Sequence, residues 1–202
     1  MKKRRSPRQR KDFLTKKLLQ FIPLLGLVSF LVFTYLAINA YDNYVFLEQT
    51  LSELGVGPSA IYFNTGVILA GIFLIPFYAL RFSKSTLSKI GSATGTISAL
   101  ALIFVGIFPL TVVIPHFVSA FLFFFLSAIA IFVFSFDDYF TGKKDIICIN
   151  EVIIALIILL HILVFRNPFM QKLAVILIIM WALFTLMEDG ILEFQLRLKN
   201  HS

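Results

Sequence analysis

LSELGVGPSAIYFNTGVILAG, residues Leu51–Gly71, decides how the chain is to be read. It begins as a polar, acidic turn with Ser52 and Glu53. Gly55, Gly57 and Pro58 then break the chain, Ser59 takes the N-cap position of an apolar run, and Asn64 lies inside that run. Breakers, a cap and then sustained apolar sequence mark a loop entering a helix. A run of about 20 apolar residues is what crossing a bilayer requires. An amide inside such a helix needs a partner, because leaving it unpaired in hydrocarbon costs on the order of several kcal/mol.

Working outward, five more windows have the same character. The six are Leu18–Ala40, Ser59–Leu80, Ser88–Phe108, His116–Phe136, Ile146–Phe165 and Met170–Gly190. Composition agrees: 59% of residues are hydrophobic, 14% are charged and mean hydropathy is +0.92. Soluble domains lie nearer half apolar and a quarter charged, so the expected fold class is all-α, an integral membrane bundle of six transmembrane helices. Pro109 and Pro115 bracket the short link between the third and fourth windows and predict a tight hairpin there. No internal repeat and no second domain are visible.

The domain reading is a basic tail over residues 1–17, a membrane domain over 18–190 and a short tail over 191–202. The first tail carries Lys2, Lys3, Arg4, Arg5, Arg8, Arg10, Lys11, Lys16 and Lys17, and with it the excess behind the net charge of +7. Such a run is expected to be disordered or to lie along a membrane surface on anionic lipid head groups. It is a tail, not a face, so nucleic acid is not an expected partner. The apolar run after it is too long for a cleaved export signal, and Ile38 spoils a cleavage site ending at Ala40, so the first span is expected to stay. Of the 18 Lys and Arg, only Arg166 and Lys172 fall on the far side if the N-terminus is inside. The positive-inside rule therefore predicts both termini in the cytoplasm of a cell-membrane protein. Asp42, Glu48 and Glu53 then lie in the first outer loop, beneath an aromatic belt of Tyr35, Tyr41, Tyr44 and Tyr62.

Two kinds of side-chain pattern stand out. Gly91, Gly95 and Ala99 form a small-residue seam on the third span, which lets another backbone approach closely, and Gly66 with Ala70 on the second span is its expected partner. His116, Ser119, Phe123 and Ser127 share one stripe of the fourth span, which should face the interior. Asn64, His116 and His161 all fall in the outer third, under the loop with Ser52 and Glu53. Together with Ser119 these are the candidate ligand-binding residues; the competing reading makes each a hydrogen-bonded fastener between helices. Glu151, Glu188 and Asp189 lie toward the inner side, where snorkelling cations such as Lys143, Lys144 and Arg197 can reach them. The spans are otherwise dry through their middles, which argues against a proton pump or ion channel.

No H-E-x-x-H, G-x-S-x-G, phosphate-binding loop or dinucleotide fingerprint occurs, so the residues assign no catalytic group and predict no cofactor and no metal. Cys148 is the single cysteine, so no intrachain disulfide can form. With the Gly106-Ile-Phe-Pro109 turn and His116-Phe-Val-Ser-Ala120 opening the next span, the opening stretch resembles a family of prokaryotic, mainly archaeal, integral membrane proteins catalogued as domain of unknown function 998. Ser52, Leu54, Gly55, Asn64, Gly71, Phe108, Pro109 and His116 carry the resemblance, which covers roughly Leu18 to Gly190. An acid often follows the Phe-Pro turn in such proteins; Leu110 and Thr111 stand there in this chain. The family is itself similar in pattern to eukaryotic DRAM and GPI-lipid-remodelling membrane proteins, which implies a lipid-related role. The expected function is binding or modification of a lipid or small amphiphile at an outer-leaflet pocket, with membrane lipids as partners. Its rivals are a non-enzymatic scaffold or assembly protein and, behind that, a small transporter.

Overall fold

The computed structural model describes the backbone of residues 7–199 and the side chains of residues 21–188. Six α-helices follow one another: α1 Pro7–Ala40, α2 Ala60–Leu80, α3 Thr86–Ile107, α4 Val113–Phe140, α5 Asp145–Leu163 and α6 Pro168–Lys199. Each contains a stretch long and apolar enough to cross a membrane. The bundle reading is therefore correct, and the span limits agree closely for α2, α3 and α5.

Differences lie at the ends. α1 starts at Pro7 and α6 runs on to Lys199, so both helices continue into the expected tails. Lys and Arg are good helix formers, and a helix already nucleated in an apolar segment extends cheaply. Residues 1–6 and 200–202 of those tails, and the side chains of Lys16, Lys17, Asp189 and Arg197, lie outside the described residues. Both α1 and α6 open on a proline, whose missing N–H costs nothing there. Asn167 caps α6 by accepting from Met170 N at 2.9 Å. Pro115 is a correction: it sits in the first turn of α4 rather than closing the hairpin. Ser59 is at the expected N-cap of α2, but its hydroxyl donates back to Val56 O at 3.1 Å instead of accepting from the helix.

From α1 to α5, each helix packs chiefly on its chain neighbour, and α6 packs more lightly on α5 and α1. Glycines set the close approaches. A side chain at Gly71 would meet Ala99 O at 2.8 Å, and one at Gly106 would meet Asn64 O at 2.8 Å, so α2 and α3 touch backbone to backbone. Gly91 lies under the Phe134 ring and Gly95 against the Tyr78 ring. Gly66 corrects the expected pairing: it faces Phe33 of α1, not the seam of α3, and Gly26 of α1 faces Phe73 in return. Two apolar clusters result. Phe77, Tyr78 and Phe134 root one cluster toward the end of the bundle that carries the α2–α3 and α4–α5 turns, and it extends through Trp181 and Ile158 to Phe123 and Phe124. Leu51, Leu54, Phe63, Val67 and Val105 fill the opposite end. The stripe of His116, Ser119, Phe123 and Ser127 is buried along its whole length.

Candidate functional site

Between α1 and α2 the chain makes a short 3-10 turn, Leu51–Gly55, that folds over the end of the bundle like a strap. Its fastenings come from both directions. Glu53 Oε1 accepts from Thr50 N at 2.8 Å and from Thr50 Oγ1 at 2.9 Å. Asn64 Nδ2 donates to Gly55 O at 3.1 Å, and a side chain at Gly55 would meet Asn64 Oδ1 at 2.6 Å, so glycine is what lets the amide in. From α6, Gln171 Oε1 accepts from Leu51 N at 2.8 Å while its Nε2 donates to Ser52 Oγ at 3.4 Å. Lys172 donates to Gln49 O, and its ammonium lies 4.7 Å from the centre of the Phe46 ring and 5.7 Å from that of Tyr44. Burial, then the charges of Glu53 and Tyr41, push the Tyr44 hydroxyl up to about 12.

Beneath the strap runs a groove with about 990 Å³ of space unfilled by atoms, its open side included. Leu27, Phe63, Val67, Phe123, Ile178 and Ala182 form much of its wall, and Ser52 and Gln171 at the strap end are the only polar lining residues among those described. Along α6 the lining reaches from Gln171 to Leu186. At 1.5 Å per residue that is a length of about 22 Å, most of a hydrocarbon core about 30 Å thick. α1 and α6 flank the groove and touch only sparsely, so it faces the surrounding lipid between them.

Of the six candidate residues, Ser52 alone lines this groove. His116 Nδ1 is 2.8 Å from Phe108 O and holds the α3–α4 turn. His161 Nδ1 is 3.4 Å from Phe165 O, with its ring set edgewise on Phe124. Among the described residues no hydrogen bond joins Asn64, His116 and His161; each is matched to a backbone carbonyl. Asn64→Leu is accordingly expected to release the strap and cost about 1–3 kcal/mol, the penalty for stranding the Gly55 carbonyl, while the helices stay assembled. Faster hydrogen exchange confined to residues 50–56 would show it; unchanged exchange there would mean the amide fastens nothing.

The opposite end holds a charged lattice. Asp138 Oδ2 accepts from Arg81 Nη2 at 3.1 Å and from Lys143 Nζ at 2.8 Å, and Lys143 also reaches Glu188 at 3.0 Å. Burial works against the Lys143 charge, but Asp138 and Glu188 outweigh it and raise the pKa. The stabilisation this lends is complete below the ordinary lysine range and is lost only as pH climbs through the raised value. The Arg81 guanidinium lies 4.2 Å from the Phe134 ring centre. Glu151 is a correction: it is 5% exposed and accepts from Trp181 Nε1 at 2.9 Å rather than reaching for water or a cation. Ser98 and Ser127, 2.6 Å apart, add a polar contact in the middle of the bundle. Sequence reasoning missed Gln171, Lys172, Arg81 and Asp138 as partners. The available signal was position: Asp138 lies two residues past the expected end of its span, on the side where Arg81 caps α2.

Among comparisons with known proteins, the family described as "Protein of unknown function (DUF998)" matches residues 24–188. No curated protein and no solved structure matches the chain.

Proposed function

The chain belongs to that DUF998 family of unknown function, and we propose that it binds a lipid or comparable long amphiphile in the groove between α1 and α6. One observation carries the reading: a groove that is apolar along its walls and, among the described residues, polar only at Ser52 and Gln171 at one end. Ligand pockets are mostly apolar with a few placed polar groups, and an amphiphile has the same distribution of polarity. Its head would lie under the strap and its tail along α6. The excess of basic residues on the side of the α2–α3 and α4–α5 turns supports a cell-membrane orientation with both termini cytoplasmic, which turns the strap end outward. Asn64, His116 and His161 then act at one remove, by fixing the turns that frame the mouth.

The test fills the groove. Ile178 is 6% exposed and lines the wall, whereas Met180 on the same helix is 58% exposed and faces away. Ile178→Trp is expected to reduce lipid co-purifying in mild detergent by about tenfold, the effect of roughly 1.4 kcal/mol of lost binding, as measured by extraction and mass spectrometry. Met180→Trp should retain it. Equal lipid in both variants and in the wild type would remove the groove as a binding site. A non-enzymatic scaffold is the second reading, favoured by the carbonyl partners of Asn64, His116 and His161. It predicts that filling the groove leaves co-purified lipid unchanged.

A further inference from the structure

We propose that the ligand of this groove is an anionic membrane amphiphile, with a phosphate or carboxylate head whose charge is neutralised by Lys172; the inference rests on the groove being a lipid site. Lys172 is 3% exposed. Its ammonium donates to Gln49 O and, at 3.4 Å, to Pro168 O, and it sits over the Phe46 and Tyr44 rings. These groups accommodate a cation without cancelling its charge. Lysine is almost never buried this far unless paired, because an uncompensated ion loses its hydration for nothing. Among the described residues Lys172 makes no ion pair. The Glu53 charge acts on Lys172 from the same strap without an ion pair between them, and Glu53 Oε1 is taken by Thr50 N and Thr50 Oγ1. Arg166, exposed just before α6, adds a second positive charge at the same end and spends its Nε on Ile162 O. Lys172 also lies one turn into α6, at the positive pole of the helix, where a cation is disfavoured.

The position matches the groove. Lys172 follows Gln171, the polar lining residue of α6, and it binds Gln49 while Gln171 binds Leu51 and Ser52. Lys172, buried beside the groove and not among its lining residues, and the polar end of an otherwise apolar groove are therefore fastened by one strap. An anion at Ser52 and Gln171 adds a counter-charge to that of Glu53, and a long tail fills the apolar length below. A neutral head of the same size supplies no counter-charge.

Binding of hexadecyl phosphate, palmitate and hexadecanol to the full-length protein in a nonionic detergent tests this, with displacement of a fluorescent fatty acid as the readout. The two anions are expected to bind about tenfold or more tighter than the alcohol, the scale of one charge-assisted contact. Lys172→Met should erase that difference while leaving hexadecanol as it was, and Lys172→Arg should preserve it. Inorganic phosphate should displace nothing; displacement would indicate a head-group site independent of the groove and overturn the proposal. Equal binding of all three probes to the wild type would overturn the anionic class and leave the groove standing, whereas no binding by any probe would remove the groove reading as well. An equal loss of all three in Lys172→Met would mean that Lys172 only fastens the strap. The comparison of probes on the wild type decides the matter even where the variant fails to fold.

Discussion

Gly95→Leu is expected to leave almost no folded protein. The Tyr78 ring lies directly against the Gly95 Cα, where any side chain would have to go. That ring is fully buried and stacks at 6.5 Å on Phe134, which in turn lies over Gly91. Moving Tyr78 aside therefore moves the α3–α4 contact too. Overpacking a core costs typically about 1–3 kcal/mol where neighbours can shift; with a trapped ring and a helix backbone on either side, the cost belongs at or above the top of that range. The measurement is the yield of monodisperse protein in detergent, beside Ile97→Ala on the lipid-facing side of the same helix as control. A wild-type yield for Gly95→Leu would show that α2 and α3 do not meet as described.

Asp138→Ala should be nearly as damaging, for an electrostatic reason. Asp138 and Arg81 are each about 8% exposed in their side chains, and Lys143 shares the same carboxylate oxygen. Removing the acid leaves the Arg81 charge buried against Phe134 without its counter-ion. Breaking such a pair costs about 3–5 kcal/mol, which for a chain of this size lowers Tm by on the order of 10 °C. Replacing both members is milder, because the stranded charge goes with its partner. Arg81→Met combined with Asp138→Leu should therefore recover part of the loss seen in Asp138→Ala. A double variant less stable than Asp138→Ala would show that the guanidinium does more by stacking on Phe134 than by pairing.

The spans were legible because a bilayer imposes a length and a polarity that the order of residues displays directly. The seam on α3 was legible for a related reason: glycines one turn apart let a neighbouring helix come close. Which neighbour was not legible, and Gly66 shows why. Its spacing with Ala70 fits any facing helix, and it took the arrangement of Phe30 and Phe33 on α1 to claim it. Asn64 and His116 announced their need for partners, but not where the partners were. A backbone carbonyl in an adjoining turn satisfies such a group with less chain ordering than a side chain on another helix, and that cheaper solution is the one present. Of the groove itself, only Ser52 was legible. Its walls come from segments as far apart as Pro23 and Leu186, and its lining has the same composition as the surface that faces lipid. Lys172 was visible as one of two basic residues on its side, yet its burial depends on a strap more than 100 residues earlier in the chain.

The neighbour-to-neighbour packing of α1 through α5 also bears on how the protein is made. Helices entering a membrane one after another can each dock on the predecessor already waiting there, so most of the bundle needs no partner from later in the chain. α6 is different: its anchors are Gln49, Leu51 and Ser52 at one end and Lys143, Glu151 and Tyr78 toward the other, all synthesised before it. It follows the other five and must fit a cradle laid down in advance, so until then one wall of the groove is missing. If the groove is the lipid site proposed above, lipid present during insertion can enter it before α6 settles, and a protein refolded from denaturant without lipid would close on an empty groove.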